Sequence, residues 1–536
     1  MVITPQTNIK LLKVPFEMDK SNQLTFASAT AQFNYFNGLS DKIEYDSCTY
    51  QRKDGYMAVN IDADTLQSYN YCMYQNEQYG NKWFYAFITN VTYEGNEVSY
   101  VYIKTDVFQT WQFDIIWKRS FVEREHTNND TIGANTIPEN VELGEYINVS
   151  EPTSSNIGAN SYICCAIAKN GLIPEGAMNS VGNYNGIISG LTYIILKDLN
   201  SVDSLIYHYT NTTYVSVDDI ISFFMIPSEL VQSSITWLTI PNTQGEYAYV
   251  STSTNAKLMN NVNINVPSVI GNNYSPVNRK LLTYPYRCLV ASNGTGTDVV
   301  YNYEDFLYFN ENPVGLCNFD IYGSLSQGCS IKYIPKDYKG VSLNIDEGLN
   351  CGKFPIGSWT KDSYNVWLRQ NAVNMGINNL IGDAKIIGGI GALALGQPLL
   401  GGGLISSGIE AVSESVIEKY NHRAIPNQIE GNINSSDIIF SMKRLGITFY
   451  HKSIKNEYAR IIDNFFTMYG YKVNTLKIPN ITGRSNWNYV KTIGCNIVGD
   501  IPQKDLQELK SMFDNGVTLW HNASTFLDYS QTNNII

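Results

Sequence analysis

One stretch of this 536-residue chain limits its fold more than any other. Residues 386–409 read IIGGIGALALGQPLLGGGLISSGI, which is 24 residues with no charge, eight Gly and one Pro. The length passes the roughly 18-residue threshold for a membrane-spanning helix. A straight helix is disfavoured, because each interior Gly costs about 0.8–1 kcal/mol relative to Ala. Pro398 sits near the middle and Gly401, Gly402 and Gly403 follow it. The pattern predicts two apolar arms joined at Gln397-Pro398. Each arm is too short to span a bilayer as a helix but is long enough to do so as a strand. One reading is a lipid-facing hairpin, either re-entrant and helical or made of two strands, presenting Ile386, Ile387, Ile390, Leu393, Leu395, Leu399, Leu400, Leu404, Ile405 and Ile409, with Gly388, Gly389, Pro398 and Gly401–Gly403 as hinges. The other reading is a buried element or a Gly-rich loop.

The flanks carry helical spacing. Val373, Ile377, Leu380 and Ile381 precede the apolar stretch, and Val412, Val416 and Tyr420 follow it. On the second flank Glu410, Glu414 and Glu418 recur every four residues. Like charges at that spacing destabilise a helix slightly while ionised, so acid would relieve them. They form either an ordinary solvated face or a pH trigger.

Elsewhere the composition points to strands and turns. Charged residues make up only 16%, whereas Tyr (38 residues) and Asn are abundant. Tyr favours strands, and Asn and Gly favour turns. The expected class is mainly β with a minor α+β part. Trp83–Tyr93 and Val98–Lys104 alternate as a hairpin around Glu94-Gly95-Asn96-Glu97, with Gly95 and Asn96 suited to positive φ. Asp106 suits the cap of a short helix carrying Val107, Phe108 and Trp111, and Ile115–Glu125 reads as a strand. Between 126 and 280 lie short apolar runs, Tyr162–Ala168 and Leu191–Leu196, in a loop-rich segment expected to form one inserted β-rich domain. Phe223–Ile226 is too short to classify, and Leu258–Asn278 reads as a linker or long loop. Near the end, Tyr458, Ile461, Ile462, Phe465 and Phe466 mark one helix face, with Gly470 as its C-terminal cap. Asp500 and Gln503 resemble a capping box for a helix carrying Leu506, Leu509, Met512 and Phe513.

Several function classes are excluded. With 37 Lys+Arg against 49 Asp+Glu, the net charge of -12 makes a poor binder of phosphate backbones. The N-terminus shows no secretory signal pattern, so synthesis and folding in a cytoplasm are expected. The nine Cys include no CxxC and read as reduced, buried, small apolar residues. The five His form no metal-protease pair, and no GxSxG or phosphate loop occurs. No enzyme activity, metal or cofactor is expected. Glu123-Arg124-Glu125-His126 is the densest ionisable cluster and reads as an ion-paired surface.

Several strings are distinctive: YGNKWFYAF at Tyr79–Phe87, DVFQTWQFDI at Asp106–Ile115, FVEREH at Phe121–His126, FFTMYGYKVN at Phe465–Asn474, and the run from Asn488 to His521. Together they resemble the tail knob, or distal tail tube, proteins of small short-tailed phages with protein-primed replication. A weaker echo is Tyr284-Pro285-Tyr286. The resemblance implies a virion protein at the tail tip, made in the host cytoplasm. It implies a homohexamer with other tail proteins as neighbours, through which phage DNA passes without specific binding. It also implies an apolar loop from each subunit that is released onto the host cell membrane. Residues 371–430 take that loop's position, with Ala424–Gln428 (AIPNQ) as the return. The expected organisation is a tube-forming β block at 1–126, an inserted β-rich domain at 127–280, a β-rich continuation at 281–365, the apolar loop region at 366–435 and a C-terminal α+β block at 436–536. The unmatched 127–280 segment keeps open a tail-tip adhesin that binds host wall carbohydrate.

Overall fold

The structure is a computed structural model. It describes residues 7–357 and 446–536, apart from 49, 52–54, 78–79, 157–160, 174–181, 185–186, 190–191, 229–230, 232–234, 251–256, 295, 307–315, 324–330 and 352–355. Strands dominate, as the Tyr-rich composition predicts. The chain divides into two compact units. The first comprises Met1–Gly144, Tyr274–Pro285 and Asn456–Ile536; the second comprises Glu145–Asn273 and Tyr286–Lys455.

In the first unit a seven-stranded sheet runs Lys42–Cys48, Thr7–Leu12, Tyr71–Asn76, Trp83–Gly95, Val98–Thr105, Tyr56–Val59, Tyr50–Gln51, every neighbour antiparallel. Successive side chains of a strand point to opposite faces. Here both faces are packed, so the central strands read as apolar runs. Ile9, Leu11, Cys72, Tyr74, Phe84 and Ala86 enter one core with Leu509, Phe513 and Leu519. Leu12, Tyr71, Met73, Tyr85 and Phe87 enter another with Phe36, Trp487 and Trp520. A five-stranded sheet in the order Asn22–Leu24, Val517–Trp520, Trp487–Ile493, Ser120–Glu125, Tyr471–Lys477 joins the two chain ends.

Local rules explain most of the helices. Asp106 accepts from the backbone N–H of Phe108 and Gln109, both at 3.2 Å, and caps Val107–Trp111 as expected. The Asn456–Tyr469 helix ends at Gly470 (φ 65°) as its glycine cap predicts. Its buried stripe differs from the predicted face. Ala459, Ile462, Asp463 and Phe466 are buried, whereas Ile461 is 66% exposed. The predicted capping box at Asp500 is absent, because the Gln503–Asn515 helix starts two residues later with Pro502 at its N-cap. In the 83–105 hairpin the left-handed residue is Glu97 (φ 59°), because the first strand continues through Gly95 with a register shift after Tyr93. The Ile115–Glu125 run is two strands, Ile116–Trp117 and Ser120–Glu125, in different sheets.

The second unit contains a six-stranded sheet centred on Thr192–Leu196, Ser161–Ile167 and Ile220–Pro227. The unclassified Phe223–Ile226 run lies in the last of these. The Leu199–Asn211 helix packs on this sheet through Val202, Leu205, Ile206 and Tyr209, and Asp198 caps it. Residues 257–265 correct the linker expectation. They form a strand paired with Leu316–Gly323, in which apolar and Asn residues alternate. A further sheet centres on Gly446–Ile454, which pairs with Arg287–Ser292, Tyr146–Asn148 and Thr153–Asn156.

Candidate functional site

The residues predicted to act on a membrane, the glycine and proline hinges, and Glu410, Glu414 and Glu418 all fall between 358 and 445, outside the described residues. The described chain enters that stretch from the strand Ile356–Gly357 and leaves it at Gly446–Ile454. Among the described residues no helix is long and apolar enough to cross a membrane.

The described structure does contain a concentrated polar site, in the first unit, where its three separate segments meet. Glu139 is its first anchor. Its buried carboxylate is ion-paired to Arg124 and to Lys280, and accepts the backbone N–H of Lys472 at 2.9 Å. Arg124 donates onward to the Gly470 carbonyl at 2.7 Å and lies over the Phe465 ring. Lys280 also donates to the Ile137 carbonyl at 2.8 Å, and burial lowers its pKa. Breaking a buried ion pair on one side typically costs about 3–5 kcal/mol, because a charge is left without its partner.

Asp463 is the second anchor. Standing in the buried stripe of its helix, it accepts from the Tyr274 hydroxyl (2.6 Å), the Val277 N–H (2.8 Å), and the Asn278 N–H and Nδ2 (3.0 and 2.8 Å). Asn278 Nδ2 also reaches Thr467 Oγ1 at 2.8 Å. Together the two anchors hold the short Tyr274–Pro285 segment against both flanking parts of the unit.

The Glu123–His126 cluster feeds the same site. It is ion-paired as expected, but most of it lies inside the unit. Glu125 is fully buried, pairs with Lys477 and accepts the Asn480 N–H at 2.8 Å; Glu123 pairs with Lys491 at 2.8 Å. His126 Nδ1 accepts the Tyr489 N–H at 2.8 Å, which leaves Nε2 to donate to the Thr467 carbonyl at 3.1 Å. Burial, helped by the positive charges of Arg484 and Arg124, pushes its pKa down from 6.5 to about 3, so the ring is neutral.

This arrangement is a network of structural bonds. Its acceptors are occupied by protein donors, and among the described residues no group of His, Cys, Asp or Glu is placed to hold a metal ion. The eight described Cys are free thiols, seven of them buried; burial raises Cys288 and Cys495 to about 11. Sequence reasoning missed Glu139, Lys280, Asn278 and Asp463. The available signal was Asp463, one helical turn after Ala459 and three residues before Phe466.

Residues 5–118 match the family described as the caudoviral major tail protein N-terminus. Residues 228–534 match the C-terminal domain of the tail knob protein gp9 of Bacillus phage phi29. The chain belongs to this tail knob family. It is 28% identical to tail knob protein gp9 of Bacillus phage phi29, covering 96% of each chain. It is 26% identical to that of Bacillus phage B103, covering 99% of this chain and 98% of the other. The fold is similar to that of the tail knob protein gp12 of bacteriophage C1, with a TM-score of 0.66 at 17% identity over 99% of this chain and 100% of that one. The protein is thus a structural component of the virion tail, not an enzyme.

Proposed function

We propose that six copies assemble into a knob at the tail tip, with a bore that passes phage DNA, and that residues 386–409 act on the host membrane. The observation that carries the membrane role is the uncharged 24-residue stretch itself, within an acidic chain of a tail knob family. Its two arms around Pro398 meet the apolar requirement for insertion, and its glycines let the arms turn. The acidity supports the conduit role. A bore lined by acidic and neutral polar groups repels a polyanion, and so lets it pass without adhering. In this reading residues 1–126 and 436–536 build the tube, 127–280 and 281–365 are β-rich additions to it, and 366–435 is the releasable loop. Neighbouring tail proteins hold the knob in the particle.

Dye leakage from liposomes tests the membrane role, comparing the full chain with a variant lacking residues 386–409. Leakage should fall to background in the variant, and equal leakage from both would end the proposal. Replacing Glu410, Glu414 and Glu418 by Gln tests the trigger. An unchanged pH profile of leakage would remove those carboxylates from it. Electron microscopy of the purified protein should show a six-fold ring with a central hole.

A further inference from the structure

Three large apolar side chains stand side by side on the five-stranded sheet of the first unit. Leu476 is opposite Phe121, and Phe121 is opposite Ile493, so all three project from one face. They are 62%, 38% and 58% exposed. The Asn456–Tyr469 helix covers the other end of that face, where Phe465 lies under Arg124 and Tyr469 meets Tyr489. Among the described residues nothing covers the Leu476–Phe121–Ile493 row. Beside it Lys118 and Arg119 are exposed, and neither has an ion pair among the described residues. The strand that carries Leu476 is the last of its sheet, an edge on which the Lys472 N–H is taken by Glu139. Apolar surface of this kind, rimmed by charge, marks a contact site.

The same unit carries a different surface of complementary charge. Lys42–Cys48 is the outer strand of the seven-stranded sheet, and Asp46 is exposed along it, whereas Asp41 and Glu44 are ion-paired to Lys13, Lys10 and Lys42. The Tyr45 hydroxyl, donating to the Asn60 carbonyl at 3.4 Å, ties this strand to a turn where Asp62 and Asp64 are also exposed. Asp46, Asp62 and Asp64 have no ion pair among the described residues. Two copies meeting through the first surface alone would set Lys118 and Arg119 against themselves. Contact between the two unlike surfaces pairs the charges, and such head-to-tail contacts generate rings.

We propose that the Leu476–Phe121–Ile493 row, with Lys118 and Arg119, docks on the acidic Lys42–Cys48 edge of a second copy of this chain. The proposal deepens the ring reading above and relies on it only for closure at six.

Native mass spectrometry of the full chain tests it. Lys118→Glu with Arg119→Glu should lower the oligomer fraction at least tenfold at equal concentration, with an unchanged unfolding temperature. Adding Asp46→Lys and Asp64→Lys should restore it. Leu476→Ser with Ile493→Ser changes no charge and should also dissociate the assembly. A wild-type oligomer that survives both the charge reversal and the serine pair overturns this surface while leaving the ring intact. A charge reversal that dissociates but is not restored by the second reversal overturns the acidic partner edge. A wild-type oligomer that responds as expected but is not a hexamer supports the surface and removes the six-fold reading. A wild-type monomer overturns both.

Discussion

Replacing Asp463 by Ala removes the acceptor on which four donors of the Tyr274–Pro285 segment converge. The Asn278 N–H is buried and would be left without a partner, while the Val277 N–H and the Tyr274 hydroxyl are near enough to solvent to find water. Asn278 Nδ2 keeps Thr467. An orphaned buried donor costs about 1–3 kcal/mol, and each lost bond to a charged group has a net worth of about 1.5–3 kcal/mol when no water replaces it. Allowing for the two donors that water recovers, the expected loss is about 3–4 kcal/mol. For a unit of this size that lowers the unfolding temperature by about 10 °C. Calorimetry of the full chain measures it, with Ile461→Ala on the exposed side of the same helix as the control. The control should move by less than about 2 °C, because exposed substitutions usually stay within about 0.5 kcal/mol. Asn278→Ala in the same background should be sub-additive, since the two residues share their bonds. A loss from Asp463→Ala no larger than the control's, or strict additivity with Asn278→Ala, would refute the reasoning.

Two further predictions concern pH. His126 has a folded pKa of about 3, below its unfolded 6.5, so the unfolded state binds the proton first as pH falls and stability is lost between those values. At pH 4.5 this amounts to about 2.7 kcal/mol. His126→Gln, costly at pH 7 through its lost bonds, should lose about that much less on going from pH 7 to 4.5, as measured by urea unfolding at both values. Asp106 has the opposite sign. Burial raises it from 3.8 to about 6 against its hydrogen bonds from Tyr71, Phe108 and Gln109, so its charge costs up to about 3 kcal/mol above pH 6, and the cost disappears as pH falls towards 3.8. Asp106→Asn keeps a capping oxygen and should be more stable than the wild type at pH 8, with the advantage shrinking by pH 5; a constant difference would contradict the burial argument.

What the sequence reveals is what neighbours along the chain decide. The Asp106 cap, the Gly470 terminator and the 83–105 hairpin rest on contacts a few residues apart, and each is legible. The Leu199–Asn211 helix was missed, although Asp198, Val202, Leu205, Ile206 and Tyr209 carry its cap and its stripe, because the surrounding Asn and Ser suggest loop. Ile461 shows the limit. An apolar residue at helical spacing was assigned to the buried face, while Asp463 was passed over as polar. Its partners lie 185 to 189 residues earlier, in a segment whose own spacing carries no sign of them. Glu139 and Lys280 escaped for the same reason, being 141 residues apart. The apolar stretch behaves differently. It is conspicuous because it needs no partner to be read, and its place in the molecule lies outside the described residues.

The parallel pairing of Asn22–Leu24 with Val517–Trp520 has a consequence in time. At about 5–20 residues per second, a ribosome takes roughly 25–100 s to travel from the first of these strands to the second. Throughout that interval the early strands carry Leu11, Cys72 and Phe84 without Leu509, Phe513 and Leu519 to cover them. A chain cut short by premature termination or proteolysis never acquires that cover. Completion of this sheet therefore works as a proofreading step: only chains that reach Trp520 present the finished unit, and shorter ones leave that apolar face open to proteases.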